Sequence, residues 1–304
     1  MGRNSMRYIV LAMMLVLLPL TVTAQNSNSG EYGFQFLQIP VSPVATALGG
    51  NGIYANAHSG AFIQNPAANL MDERYSVSVQ HSLWLVDTSI SQIVYSKSNR
   101  NRHFGLAGRI LDYGQIDTRD DTGAIIGNYH PIDASLMVNY AYRLLPDHMF
   151  GLNAALIYEK LNTASSYGIS TDLGYVFLPP ITNSTLFLSL RNLGITSKME
   201  YEKIKLPLTL ETGIGYKLPF NHSALSMQFT MNKPVDADLR TTLAAEYSLW
   251  QMLSLRLGYK GNHDEEGITA GIGISWQNLV VDYGWNSFSD RLNDTHSFGI
   301  TYNF

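Results

Sequence analysis

The side chains that could perform chemistry lie along this 304-residue chain without the spacing of a known reaction site. None of the eight histidines forms the pair, four residues apart beside a glutamate, by which a helix holds catalytic zinc. Two acidic stretches, DTRDDTG at residues 117–123 and HDEE at residues 263–266, contain oxygen ligands suited to a hard cation. Both have the polar composition of solvated loop tips, which favours turns over metal sites. We therefore expect no metal site and no enzyme built around one.

Other catalytic and nucleotide-binding patterns are also missing from the sequence. The Gly-Ile-Gly motifs at residues 213–215 and 271–273 precede no predicted helix, so they are interpreted as strand glycines rather than phosphate-binding loops. No nucleophile-elbow motif is present. The absence of cysteine excludes disulfides and thiolate metal sites, and a net charge of −4 without a basic block argues against nucleic-acid binding. The prediction is a non-enzymatic protein without a cofactor.

The composition is unusual for a soluble domain. Charged residues make up 14% of the chain, whereas they are about a quarter of an average soluble protein. Hydrophobic residues reach 45% and aromatic residues 11%, and 18 residues are tyrosines. These values exclude a disordered chain, in which low hydrophobicity accompanies high charge. The secondary structure must therefore explain the low fraction of charged residues and the many tyrosines.

The N-terminus has the features of a secretory signal peptide. Arg3 and Arg7 precede an apolar run at residues 8–22, and small residues follow up to Ala24. We predict cleavage after Ala24 and assign residues 1–24 to the signal peptide. A membrane anchor is the alternative, but the run is shorter than the about 20 apolar residues that a spanning helix needs. No later stretch is apolar for long enough to span a membrane as a helix.

From residue 73 onward, apolar and polar residues alternate, which is the pattern of strands with one apolar and one polar face. Segments of about ten residues suit tilted membrane strands, and short turns alternate with longer polar loops as in outer-membrane barrels. About fourteen antiparallel strands are predicted. They begin near Tyr75, Thr88, His103, Asp133, Met149, Ser166, Ser184, Pro207, Ser223, Leu239, Met252, Gly267, Asn278 and Thr295.

The polar face of these strands identifies the enclosed side. It carries mostly glycine, serine, threonine and asparagine, whereas a soluble sandwich, the alternative fold, would expose a charged face to water. We therefore predict an all-β transmembrane outer-membrane β-barrel at residues 73–304, because only closure satisfies every strand edge in lipid. Basic and acidic side chains in equal number share the inward parity and are expected to form ion pairs, except where some lie at strand ends in water. They are Arg109, Arg143, Arg191, Arg240, Arg256, Glu159, Asp172, Glu211, Glu246 and Asp282. A polar lumen of this kind counts against a path for apolar molecules.

Residues 25–72 do not alternate, and we interpret them as an N-terminal plug or hatch inside the barrel. The segment carries few charges and is rich in glycine, alanine, asparagine and proline. Its apolar residues, among them Phe36, Leu48 and Phe62, need burial, which the lumen offers. A free periplasmic tail is the alternative.

Motifs within this segment resemble the opening of the PorV/PorQ family, a branch of FadL-like outer-membrane barrels. The similarity lies in an Ala-Leu-Gly-Gly step that ends at Gly49 and Gly50, and in a step formed by Asn65, Pro66 and Ala67. It continues through residues 188–194, 206–218 and 295–304, and through residues 110–142, which are more similar to the PorQ side.

The resemblance implies a barrel in the bacterial outer membrane, in contact with its lipid, with an N-terminal hatch. It implies that Tyr302 and Phe304 belong to a C-terminal signal that the barrel-assembly machinery recognises. It also implies association with type IX protein secretion, so the first functional hypothesis is a docking or accessory component that meets secretion components or cargo. The second hypothesis is FadL-like transport of a hydrophobic ligand, and the third is a structural barrel with a filled lumen.

Overall fold

The computed structural model describes residues 31–54, 59–289 and 292–304. The predicted signal peptide, residues 1–24, lies outside the described residues. Within them, fourteen strands form a closed barrel in which all neighbouring strands are antiparallel. The predicted fold is therefore confirmed as an all-β closed barrel with that number of strands.

Each barrel strand begins within two residues of its predicted position. In chain order the barrel strands are β1 (Tyr75–Leu83), β2 (Ser89–Ser98), β3 (Arg102–Asp112), β6 (Ile132–Leu145), β7 (His148–Leu161), β8 (Ala164–Phe177), β9 (Ser184–Thr196), β12 (Thr209–Pro219), β13 (Ser223–Pro234), β14 (Arg240–Leu249), β15 (Leu253–Gly261), β16 (Glu266–Trp276), β17 (Leu279–Phe288) and β18 (Thr295–Asn303). Two small hairpins in the loops, which the alternation does not predict, are formed by β4 (Ile116–Arg119) with β5 (Ile125–Tyr129) and by β10 (Lys198–Met199) with β11 (Glu202–Lys203).

The barrel is an up-and-down meander that closes between its first and last strands. β1 pairs with β18 from Ser76 opposite Asn303 to Leu83 opposite His296. β3 pairs directly with β6, and β9 with β12, because the residues between them form the two small hairpins. Closure leaves no unpaired strand edge, which is the condition that a lipid environment imposes on backbone polar groups.

The two ends of the barrel differ in their connections. Apart from residues 178–183, the turns at the end where β1 begins and β18 finishes are short. The opposite end carries the longer connections, including both small hairpins, together with one two-residue turn at residues 162–163. Outer-membrane barrels have short periplasmic turns and longer outer loops. We therefore name the short-turn end the periplasmic end and the opposite end the outer end.

Alternating side chains give the barrel an apolar outer surface. Along β18, the outward residues Phe298, Ile300 and Tyr302 are 48%, 55% and 47% exposed, whereas Ser297 and Thr301 are buried inside. The other strands likewise expose leucine, isoleucine, valine and tyrosine. In the described part of the chain, no helix is long and apolar enough to cross a membrane.

Residues 31–74, of which residues 55–58 are not described, are called the N-terminal segment. The segment contains the helix α1 (Pro43–Ala47) and the 3₁₀ turns η1 (Gln35–Gln38), η2 (Ala61–Ile63) and η3 (Ala68–Met71). It begins at the outer end, where the backbone N–H of Gly33 donates to the carbonyl of Lys205 at 3.1 Å. It finishes at the periplasmic end, where β1 begins. Most of its residues from 41 onward are buried, so the segment passes through the lumen along the barrel.

Helix α1 lies against the inner wall formed by β16 and β17. Glycines make this close approach possible, since a Cβ added at Gly271 would lie 2.4 Å from Ala47 Cβ, and one at Gly284 would lie 2.3 Å from Pro43 O. Thr269 Oγ1 also donates a hydrogen bond of 2.8 Å to Ala47 O. Gly271, which belongs to one of the two Gly-Ile-Gly motifs, and Gly284 therefore form a flat surface for this helix.

Candidate functional site

The outer half of the lumen is an apolar compartment. Phe34, Phe36 and Val41 of the N-terminal segment fill it and are 0%, 1% and 1% exposed. They pack against inward wall residues and one loop residue, namely Ile90, Leu111, Ala155, Ile157 and Leu206. Full burial of each phenylalanine side chain contributes about 1.5–3 kcal/mol. These residues together are called the apolar compartment below.

This compartment corrects the expectation of a polar lumen. The inward face of β2 carries Ile90 and Val94 as well as Gln92 and Ser96, and all four side chains are buried. Apolar residues therefore occur on both faces of this strand, and parity alone does not distinguish a polar side. In the outer half of the lumen, side chains of the N-terminal segment cover the inward apolar residues and keep them from water.

Toward the periplasmic end, a row of hydrogen-bonded polar side chains crosses neighbouring strands. Asn139 on β6 accepts a hydrogen bond from His103 on β3 at 2.5 Å and donates one to Asn153 on β7 at 2.6 Å. Asn153 donates to Asp172 on β8 at 2.9 Å, and Asp172 accepts from the backbone N–H of Asn192 on β9 at 2.8 Å. Both asparagine side chains also donate to backbone carbonyls of the N-terminal segment, at 3.0 and 2.9 Å. The row therefore holds the periplasmic part of the N-terminal segment in place.

A β-bulge between β8 and β9 turns two successive side chains into the lumen. The register shifts so that Asp172 faces both Arg191 and Asn192. Asn192 takes a left-handed φ of 63°, which asparagine tolerates better than most residues. The guanidinium of Arg191 then lies 3.4 Å from the carboxylate of Glu211. Regular alternation contains no sign of this bulge, so the inward position of Asn192 could not be predicted from the sequence.

Three of the predicted inward charges form one compact cluster on the periplasmic side of α1. Arg256 Nε lies 2.7 Å from Glu246 Oε2, and Arg256 Nη1 lies 2.7 Å from Asp282 Oδ1. None of the three side chains is more than 6% exposed. The geometry satisfies the guanidinium at two edges, which is what a buried charge of this kind requires.

Two other predicted charges bind the backbone of the N-terminal segment. Arg109 Nη1 donates to the carbonyl of Phe36 at 3.1 Å, while its Nε and Nη2 donate to Gln92 Oε1 at 3.1 and 2.9 Å. Glu159 Oε2 accepts the backbone N–H of Phe34 at 2.8 Å. The two charges therefore hold the segment on either side of the apolar compartment.

The remaining two predicted charges lie near the barrel ends. Arg143 is at the periplasmic end, where it donates to the carbonyls of Arg100, Pro146 and Leu70 at 2.9, 2.8 and 2.6 Å. Arg240 is the first residue of β14 at the outer end and is partly exposed. Both positions are strand ends, where water can reach part of the side chain.

Gly49 and Gly50, the first motif of the resemblance, end helix α1. Their φ angles are 74° and 103°, and the N–H of Gly50 donates to Ala45 O at 2.8 Å. A Cβ at Gly49 would lie 2.3 Å from Thr242 Cγ2 on the wall. Both the left-handed backbone and the close approach therefore require glycine at position 49.

Asn65, Pro66 and Ala67, the second motif, lie against glycines of β7 and β8. A Cβ at Gly151 would lie 2.2 Å from the carbonyl carbon of Pro66, and one at Gly174 would lie 2.4 Å from Asn65 Oδ1. The N–H of Ala67 donates to Asn65 Oδ1 at 2.9 Å, which closes a tight turn. The motif thus fixes the N-terminal segment to the periplasmic half of the wall.

Cavities lie on both sides of the barrel wall. An apolar concavity of about 980 Å³ faces outward over β2, β3 and β6 to β9, with Ile93 and Leu136 among its lining residues. An inner cavity of about 20 Å³ lies behind the same wall, and Gln92, Arg109 and Ser135 line both spaces. The inner cavity has room for about one water molecule. A third space of about 1060 Å³ is a vestibule on the periplasmic side of the N-terminal segment, and this vestibule adjoins the periplasmic turns.

Residues of both acidic stretches are held by hydrogen bonds within the chain. Asp120 accepts hydrogen bonds from the Thr122 hydroxyl at 2.6 Å and from the N–H groups of Thr122 and Ala124 at 2.9 and 3.0 Å, and these bonds lower the pKa of Asp120. His263 Nδ1 lies 3.1 Å from Glu266 Oε2, and burial lowers the pKa of His263. The carboxylate of Glu266 also pairs with Lys260 on β15 and accepts a hydrogen bond from Asn286 Nδ2 on β17 at 2.8 Å. Turn hydrogen bonds therefore account for Asp120, and contacts with the barrel wall account for Glu266.

Tyr302 lies on the outer face of β18 at the periplasmic end, and Phe304 directly follows this strand. They are 47% and 70% exposed, and their rings meet edge to face with centres 5.2 Å apart. The N–H of Phe304 donates to Tyr75 O at 2.9 Å across the closing pair of strands. The two aromatic residues therefore lie directly at the seam of the barrel.

Comparison with known proteins gives no match to a family model and none to a curated protein. Solved structures do match over most of the chain. CymD, a monoaromatic hydrocarbon channel, has a TM-score of 0.64 at 12% sequence identity, over 88% of this chain and 97% of CymD. TodX, the toluene transporter of Pseudomonas putida, has a TM-score of 0.61 at 10% identity, over 85% of this chain and 96% of TodX. A FadL homologue of Pseudomonas aeruginosa has a TM-score of 0.52 at 10% identity, over 88% of this chain and 99% of the homologue. The chain has a FadL-like barrel fold.

This fold, together with closure and the apolar outer surface, places the protein in the bacterial outer membrane. The predicted location is therefore confirmed. At these sequence identities the similarity shows the fold and not the molecule that passes through it. The finer resemblance to the PorV/PorQ branch remains a prediction.

Proposed function

We propose that the protein is a channel for small apolar molecules across the outer membrane. The observation that carries this proposal is the apolar compartment, which lies behind the wall that bears the apolar outer concavity. A porin for polar solutes has a polar, water-filled interior instead. The fold shared with CymD and TodX, a monoaromatic hydrocarbon channel and a toluene transporter, supports the same class of molecule.

The chain itself fills the compartment in this structure. Phe34 and Phe36 occupy the space, and the neighbouring inner cavity of about 20 Å³ is too small for a hydrocarbon. A molecule can therefore enter only when the outer part of the N-terminal segment moves aside. Exchange of a phenylalanine ring for an apolar molecule of similar size keeps the wall covered, so it costs little transfer free energy.

The charges beside the compartment favour an uncharged molecule. Arg109 already donates to Gln92 and to the backbone of the N-terminal segment, and Glu159 already accepts a backbone N–H. A charged solute in this space would lose its water without gaining a partner, which costs several kcal/mol. Hydrocarbons and similarly apolar molecules are therefore the substrate class.

Uptake by intact cells tests this function. Cells that lack a FadL-type channel of their own would express the protein or carry an empty vector, and the initial uptake of radiolabelled toluene would be measured. We expect faster toluene uptake in the expressing cells, with unchanged entry of the polar solute nitrocefin as the control. Equal toluene uptake in both, with the barrel folded in the outer membrane, would overturn the proposal.

A docking or accessory role in type IX protein secretion is the second candidate, and a different observation favours it. The outer hairpin formed by β4 and β5 exposes Ile125 and Ile126, which are 58% and 65% exposed. An apolar surface on a projecting loop is typical of a protein contact. Deletion in the native organism separates the candidates, because loss of type IX cargo from the cell surface would support docking, and slower hydrocarbon uptake with normal cargo display would support transport. Neither role involves catalysis, and in either case we assign Tyr302 and Phe304 to recognition by the barrel-assembly machinery.

A further inference from the structure

A cluster of basic residues lies at the periplasmic end of the barrel, on one side of it. A turn at residues 99–101 joins β2 to β3 there, and Lys97, Arg100 and Arg102 are exposed around this turn. Lys97 continues the outward row of Ile93 on β2, and Arg102 continues the outward row of Phe104 on β3. Lys97 and Arg102 therefore point away from the lumen, toward the surroundings of the barrel.

The two outward cations are close enough to share one anion. Lys97 pairs with Phe104 across β2 and β3, so Arg102, two residues before Phe104, is its diagonal neighbour. Diagonal neighbours on one face of a sheet are about 7–8 Å apart at the backbone, and long side chains bridge that distance. A phosphate group between them would accept hydrogen bonds from both. Arg100 follows in the adjoining turn and adds a third positive charge.

Exposed aromatic rings surround these cations. Arg102 lies opposite Tyr142 on β6, and Lys97 Nζ lies 5.3 Å from the centre of the Tyr75 ring on β1. Tyr75 and Tyr142 are each 41% exposed, and Phe104 is 40% exposed. Outward aromatic residues near the end of a membrane barrel mark the level at which hydrocarbon meets lipid headgroups. The cations therefore lie at the level of the headgroups of the periplasmic leaflet.

Other charged groups near the turn interact with the chain itself. Asp72 pairs with Arg74 at 3.2 Å. Arg143 points inward and donates to backbone carbonyls, including that of Arg100, and Glu73 interacts electrostatically with Arg143. The outward positive charges thus keep their attraction for an external anion.

We propose that Lys97, Arg100 and Arg102 bind the headgroup phosphate of an anionic phospholipid, such as phosphatidylglycerol, in the periplasmic leaflet. The acyl chains of this lipid lie along the outward side chains Phe104 and Leu106, which are 40% and 38% exposed. A basic residue at a membrane surface strengthens the attraction of anionic lipid by about fivefold. Loss of two such residues should therefore weaken binding by about twenty-fivefold.

Photocross-linking in reconstituted bilayers tests the proposal. The full protein in phosphatidylcholine vesicles receives a trace of phosphatidylglycerol with a photoactivatable headgroup, and mass spectrometry locates the label. We expect label on residues 97–104, removed by excess phosphatidylglycerol but not by excess phosphatidylcholine or inorganic phosphate. Lys97→Gln with Arg102→Gln should lower this labelling by about twenty-fivefold. The matched control is Lys198→Gln with Lys203→Gln, which removes two lysines that face each other at the outer end, and its labelling should not change.

Equal labelling of the Lys97→Gln, Arg102→Gln variant and the unchanged protein would overturn the proposal. Equal competition by phosphatidylcholine would do the same, because it would indicate unselective lipid contact. Competition by inorganic phosphate would assign the residues to free phosphate and overturn the lipid assignment. Gel mobility before and after heating reports whether each variant folds. The single change Arg100→Gln, in the exposed turn, gives an independent measurement, with an expected loss of about fivefold.

Discussion

Replacement of Phe36 by alanine should loosen the N-terminal segment and leave a space the size of an aromatic ring. Phe36 is 1% exposed in the apolar compartment, and its backbone carbonyl, which accepts from Arg109, is unaffected by the substitution. Phenylalanine to alanine changes in buried sites cost about 3–5 kcal/mol. If the cost falls on the local closure of the segment, its open form should become at least about a hundredfold more populated.

An introduced cysteine measures this opening. The chain has no cysteine of its own, so Val41→Cys provides a single thiol at a position that is 1% exposed. We expect slow reaction with a maleimide in the Val41→Cys protein and reaction about a hundredfold faster when Phe36→Ala is added. Phe150→Ala is the control, because Phe150 is 46% exposed on the outward face and its loss should not change the rate.

Toluene should reverse the effect. A dry apolar cavity of this size binds an aromatic hydrocarbon, and a ligand that binds the closed form stabilises it. Saturating toluene should therefore slow the labelling of the Phe36→Ala, Val41→Cys protein. Equal labelling rates with and without Phe36→Ala would refute the role of this ring in closure, and a rate unaffected by toluene would refute the apolar ligand space.

Further predictions concern a lumen charge cluster, one turn and one loop. Arg256→Met leaves Glu246 and Asp282 buried without their cation, so the free energy of unfolding in urea should fall by about 3–5 kcal/mol, whereas an unchanged urea midpoint would contradict the importance of the cluster. Val86 has a φ of 53° in the turn after β1, a strained angle for a β-branched residue. Val86→Asn should therefore raise the free energy of unfolding by about 1 kcal/mol. A variant that is no more stable than the unchanged protein would show that Val86 is not strained. Burial holds the pKa of His263 below its ordinary value of 6.5, so the unfolded chain binds this proton more readily and stability should fall as the pH drops through 6.5. His263→Gln should reduce this fall in the free energy of unfolding at low pH. The same pH dependence in the variant and the unchanged protein would contradict the assignment of the effect to His263.

Strand positions could be predicted from the sequence because the lipid-facing side must be apolar along the whole strand. In β18, every second residue from Phe298 to Tyr302 is apolar and outward, and the residues between them are small or polar. This regular period places the strand starts to within two residues. The location in the outer membrane followed from the same pattern, since only a closed barrel presents such a surface to lipid.

The contents of the lumen could not be predicted in the same way. On β2, Ile90 and Val94 point inward beside Gln92, so hydrophobicity does not distinguish the two faces. The bulge at Asn192 reverses the parity of β9 at one residue, and alternation contains no signal for an inserted residue. The path of the N-terminal segment depends on which wall positions lack side chains, a property of the assembled barrel rather than of any single strand.

Entry of an apolar molecule into the compartment is tested most directly by photolabelling with a diazirine derivative of toluene. Neighbouring residues of one strand provide an internal comparison, because Ile157 faces the compartment while Leu156 on the same strand faces outward, and Ile90 and Ile93 differ in the same way on β2. We expect label on Ile157 and Ile90 that excess toluene removes. Label confined to Leu156 and Ile93, with none on the two lumen residues, would show that apolar molecules meet the barrel only from the lipid and would contradict the proposed channel.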